Sequence, residues 1–113
     1  MNKNILFPAI GFADSEFRSC TSSDIALTVL LTSWDEKTIR IVFLHPIQFT
    51  YKLGCGVDDI YEVSDKPSFL EEVLSLQYNN IPENHPFKLF QIIDKDDFPF
   101  LEVVAEGATV TKE

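Results

Sequence analysis

Little in this chain is equipped for chemistry. It holds two cysteines and two histidines in 113 residues. Cys20 and Cys55 have no C-x-x-C spacing, and so few cysteines exclude a small disulfide scaffold. Two free thiols in a reducing compartment are the expectation, with a single Cys20–Cys55 bridge as the alternative. His45 and His85 are each followed by proline, with no Cys, His or carboxylate at a metal-ligand spacing. Glycines are few as well: Gly54-Cys55-Gly56 lacks the further glycines, the Lys and the following helix of a phosphate loop. The nine basic residues are spread singly and make no nucleic-acid groove. No stretch approaches the ~18–20 apolar residues of a membrane span. The apolar run Ile5–Ala13 after Lys3 is short and broken by Pro8 and Gly11, which suits a core-entering segment or edge strand better than a leader. These absences predict a soluble, cytoplasmic protein that is not an enzyme, with no cofactor, no metal, no nucleic acid and no membrane among its partners.

Core material, by contrast, is plentiful. Hydrophobic residues make up 45% of the chain and ten are Phe, enough for one domain spanning residues 1–113. The strongest pattern is the stretch Asp24–Leu53. Ile25, Leu27, Val29 and Leu31 alternate with Ala26, Thr28, Leu30 and Thr32, and after Ser33–Lys37 the alternation resumes with Ile39, Ile41 and Phe43. That is an antiparallel hairpin with one buried face. Ile47, Phe49, Tyr51 and Leu53 continue it past Pro46.

Around the hairpin, Asp14–Ser19 reads as a short strand with Phe17 inward. Val57–Val63 is ambiguous, because Ile60 breaks the alternation of Val57, Tyr61 and Val63. Lys66 to about Tyr78 is the one helix, with Phe69, Leu70, Val73, Leu74 and Leu76 or Gln77 as its apolar stripe; Asp65 or Ser68 caps it, and Ser68 with Glu71 fits a capping box. Leu89–Ile93 is apolar on both phases, the mark of a strand covered on two faces, and Asp94–Asp97 joins it to a returning strand, Phe98–Ala105. A last run follows Gly107. The fold class expected is α+β, mostly β: a curved antiparallel sheet or half-barrel of about six strands with one amphipathic helix.

The net charge of -9 is unevenly placed. Residues 1–53 hold five acids and five bases, whereas residues 54–113 hold thirteen acids and four lysines. Two clusters dominate: Asp58, Asp59, Glu62 and Asp65, and Asp94, Asp96 and Asp97. Such a field repels nucleic acid and anionic membranes and speeds association with a basic protein; alternatively it is a solvated face that aids solubility. Calcium is a poor fit to the second cluster, since an EF-hand loop needs Gly and Glu where Pro99 and Ala105 stand. Trp34, the only tryptophan, sits at a polar hairpin tip beside Asp35 and Glu36; it is either a binding anchor or a ring folded back over the hairpin. A Cys55–His45 or Cys20–His85 dyad would make a small enzyme, which thiol alkylation kinetics would reveal.

In Asp14-Ser15-Glu16-Phe17, the long hairpin, Val57-Asp58-Asp59-Ile60-Tyr61-Glu62-Val63 before the helix, and the closing pair FKLFQIID and FPFLEVVAEGATV, the chain resembles small acidic immunity proteins of bacterial toxin–immunity systems, including those of contact-dependent growth inhibition. The resemblance implies a protein that binds and neutralises a cognate toxin domain, often a nuclease with a basic cleft, and it carries no catalytic residues. On that expectation the partner-binding residues are Asp58, Asp59, Tyr61, Glu62, Asp65, Asp94, Asp96, Asp97 and Trp34. The competing expectation is a structural or oligomerisation module whose sheet edge pairs with another copy.

Overall fold

The computed structural model describes residues 3–52, 56–63, 68–82 and 84–113. Its elements run β1 (Lys3–Ile5), β2 (Glu16–Ser22), β3 (Ala26–Thr32), β4 (Thr38–Leu44), β5 (Gln48–Tyr51), β6 (Val57–Val63), α1 (Ser68–Gln77), β7 (Lys88–Asp94), β8 (Pro99–Ala105) and β9 (Gly107–Lys112). All pairing is antiparallel, in a five-stranded sheet ordered β1-β6-β7-β8-β5 and a four-stranded sheet ordered β2-β3-β4-β9. The protein is mostly β with one helix, as the alternation patterns predict. Among the described residues the strands are nine rather than about six, and they lie in two layers that do not close into a barrel.

Two bends make the layers. After β4 the chain turns at His45, whose φ is +50°, and Pro46 offers no N–H to continue the ladder. After β8 it turns at Glu106. The two bends travel together: Glu106 N donates to Leu44 O at 2.9 Å, and Ile47 N donates to Val104 O at 2.9 Å. One two-stranded ribbon, β4/β9 continuing as β5/β8, therefore crosses from one sheet to the other. This corrects the expectation that the hairpin's alternation continues past Pro46 within one curved sheet. Phe49 and Tyr51 belong to an edge strand of the other sheet and are partly exposed, and Leu53 lies outside the described residues. Ile25 is also exposed, in the turn that precedes β3.

The main core lies between the sheets. Leu27, Val29, Leu31, Ile39, Ile41 and Phe43 face Val57, Ile60, Phe90, Ile92, Leu101 and Val103, with Phe12 from the N-terminal segment among them. The ambiguity of β6 resolves as a bulge between Val57 and Asp59. The extra residue flips the phase, so Val57 and Ile60 share the inner face while Tyr61 and Val63 face outward.

A second core forms on the outer face of the five-stranded sheet, where Leu70, Val73 and Leu74 of α1 cover Val63, Leu89 and Val104. Strand β7 is buried on both sides, as its double-phase apolar pattern predicts. The proposed cap Asp65 lies outside the described residues, as does Cys55.

An acidic end with an exposed tryptophan

The register brings distant acids together. Thr32 at the end of β3 pairs with Glu16, Ser15 bridges Val57, and Val57 pairs with Asp94 at the end of β7. The β3–β4 turn, the start of β2, the start of β6 and the β7–β8 turn therefore share one end of the molecule. Ion pairs stitch it: Lys95 Nζ lies 2.7 Å from Asp14 Oδ1, and Lys112 Nζ lies 3.5 Å from Asp35 Oδ1. Lys52 is held over the Phe98 ring, 5.7 Å from its centroid.

Two of these turns are built alike. In the β3–β4 turn, Ser33 N donates to Lys37 O (2.8 Å), Glu36 N to Ser33 O (2.9 Å) and Lys37 N to Ser33 Oγ (3.0 Å). In the β7–β8 turn, Asp94 N donates to Phe98 O (2.9 Å), Asp97 N to Asp94 O (3.0 Å) and Phe98 N to Asp94 Oδ1 (2.9 Å). Each fourth residue has positive φ, Glu36 at 62° and Asp97 at 61°, the left-handed position of a bulged hairpin loop. Ser33 Oγ also donates to the Asp35 carboxylate, and this hydrogen bond, with a backbone N–H and the charge of Lys112 adding to it, holds the Asp35 carboxyl below its usual range. The tip so fixed presents Trp34 at 70% exposure; the ring does not fold back over the hairpin.

The expected site residues divide. Asp58, Asp96 and Asp97 are exposed at this end, and Asp59 and Tyr61 are half-buried beside them. Burial pushes the Asp59 carboxyl up, and Asp58 adds repulsion, against the hydrogen bond that Asp59 Oδ1 accepts from Ile60 N. The Tyr61 hydroxyl is pushed up by burial and by the charges of Asp59, Asp58 and Asp97, which places the two sequence clusters in one field.

Asp94 is not surface: at 3% exposure its Oδ1 accepts from Asp96 N and Phe98 N and orders the turn. Glu62 points to the opposite face from Tyr61, with Lys88 Nζ 3.9 Å away. Asp65 lies outside the described residues. Four acids that the half-by-half charge count set aside, Asp14, Glu16, Asp35 and Glu36, join this end from the neutral half, and no local sequence pattern reveals it.

No group of three His, Cys, Asp or Glu among the described residues is placed to hold a metal ion. Cys20 is a free, half-buried thiol whose pKa burial raises, the opposite of an activated nucleophile. His85 Nδ1 accepts from Phe87 N at 3.2 Å, a structural role. No helix among the described residues is long and apolar enough to cross a membrane. No family model, curated protein or solved structure matches the chain.

Proposed function

We propose that this protein binds and neutralises a basic toxin domain by laying its acidic end over the toxin's active-site cleft, with Trp34 as the packed anchor. The observation that carries the reading is convergence: Asp58 and Asp59, Asp96 and Asp97, and Asp35 and Glu36 beside an exposed tryptophan come from three chain segments to one end. Exposed Trp is enriched at binding hot spots, and a field of one sign raises association rates with its opposite. Backbone geometry adds support. Asp14, Glu36 and Asp97 all stand at positive φ, where glycine carries no steric penalty. Asp enters this conformation readily through local bonding, but the side chain of Glu36 is too long for that, so its acid stands there against backbone preference.

The self-association reading has less behind it. Of the four edge strands, β1 and β5 have three and four residues and β2 is bulged between Phe17 and Ser19, features that blunt an edge, which leaves the regular six-residue β9 as the edge open to pairing.

The test is co-purification with the polypeptide encoded immediately upstream, at low and high salt. A one-to-one complex whose association slows steeply with salt, and which fails in an Asp58→Asn/Asp96→Asn/Asp97→Asn/Trp34→Ala variant, is the expected result. No complex, with a salt-insensitive homo-oligomer in sedimentation, would favour the sheet-edge module instead.

A further inference from the structure

A polar row crosses the outer face of the five-stranded sheet between α1 and the acidic end. Ile5, Tyr61, Gln91, Glu102 and Thr50 are in register across all five strands. The row on one side is the Val63–Leu89–Val104 row that α1 covers. On the other side, Asp59 leads into the acidic end.

Gln91 is anomalous here. It is the one polar residue between Leu89 and Ile93 of a strand buried on both faces, and it is itself only 6% exposed. Its Nε2 donates to Glu102 Oε2 at 2.9 Å, while its Oε1 is buried with no partner. Amide orientation does not rescue it, because the flipped group would set oxygen against carboxylate. An orphaned acceptor of this kind is destabilising, whereas an apolar side chain of the same shape avoids that cost. The amide is thus unexplained by the fold.

We propose that the Gln91–Glu102 pair seats an arginine side chain of the basic partner; this rests on the reading above that the partner is basic. The pair leaves two acceptors, Gln91 Oε1 and the second oxygen of Glu102, and no lysine or arginine among the described residues forms an ion pair with Glu102. The charge of Glu102 repels anions. A single carboxylate beside a neutral amide is too few ligands for a divalent cation. A guanidinium matches: it brings one positive charge and a planar fork of N–H donors that takes the Glu102 oxygen and, once the buried Gln91 amide turns outward, its Oε1 as well, whereas an ammonium is a point charge. A partner docked on the acidic end reaches this row without a gap, since Asp59 and Tyr61 belong to both.

The test uses the 15N-labelled full chain titrated with a short arginine-containing peptide and with its lysine counterpart. The expected result is a shift of the Gln91 side-chain NH2 signals, larger for arginine. Binding should weaken roughly tenfold in Glu102→Gln and in Gln91→Met, the loss of one charge-assisted or buried hydrogen bond, while Gln91→Met melts higher because the orphan is gone. Glu102 is half-exposed, so its variant keeps the test informative if Gln91→Met misfolds. Two outcomes would overturn the seat. In one, Asp58, Asp96 and Asp97 shift while Gln91 does not, which leaves the acidic-end reading standing. In the other, Gln91→Met gains stability with unchanged peptide affinity, which marks the amide as holding only an internal water. Loss of the upstream-protein complex is the separate failure, that of the functional reading itself.

Discussion

Asp59 shows most directly how a single residue trades stability for surface charge. It is half-buried in a bulge, and its carboxyl is raised first by desolvation and then by Asp58. A raised carboxyl in the folded state means that folding favours the proton. Its contribution is most favourable below the unfolded pKa and is lost as pH rises through the folded value. Asp59→Asn keeps an acceptor for Ile60 N and removes the charge. The variant should therefore melt higher than the parent at pH 7, with the gain shrinking toward zero as pH falls below about 4. Thermal melts across that range check it; a gain independent of pH would show that the side chain is stressed by packing and not by charge. Gln91, by contrast, was open to view in the sequence as a lone amide inside FKLFQIID. What the sequence withheld was its orphaned oxygen, because a partner across the ladder depends on register.

At the scale of elements, legibility followed periodicity. The β3–β4 hairpin, the doubly covered β7 and the helix all emerge from residue spacing, since a strand repeats every two residues and a helix near every 3.6. What spacing did not reveal were the irregularities: the bulge in β6 that puts Val57 and Ile60 on one face, and the His45–Pro46 and Glu106 bends that split one expected sheet into two. A bulge shifts phase by one residue and looks like noise in a short run. The helix gives a sharp contrast for experiment. Leu74 is 1% exposed against Val63, Leu89 and Val104, while Leu76, two residues on, is 78% exposed. Leu74→Ala should cost about 2–5 kcal/mol in urea unfolding, and Leu76→Ala should stay within about 0.5 kcal/mol of the parent. Equal losses would mean that α1 packs on a different face.

At the scale of the whole molecule, the charge count divides the chain into a neutral half and an acidic half, but the fold divides it by ends. The ladder from Thr32 through Glu16, Ser15 and Val57 to Asp94 gathers carboxylates from both halves, which no linear count anticipates because cross-strand neighbours are set by topology. Lys95 and Lys112 are each already committed to a carboxylate there, Asp14 and Asp35, so Asp58, Asp59, Asp96 and Asp97 repel one another across water. Exposed like charges within a Debye length are weakly destabilising, and salt screens them. Neutralising the four to Asn should then stabilise the fold by about 0.5–1 kcal/mol in low salt, a rise in melting temperature of roughly 2–8 °C for a domain near this size. The share due to mutual repulsion should fade as ionic strength approaches about 1 M, where the Debye length is near 3 Å, leaving the gain from the desolvated Asp59. The same variant is expected to lose fast association with a basic partner. If the acids serve only solubility, neutralisation should lower solubility while leaving partner association intact. A molecule that folds better without four acids and binds worse without them holds those acids for the binding.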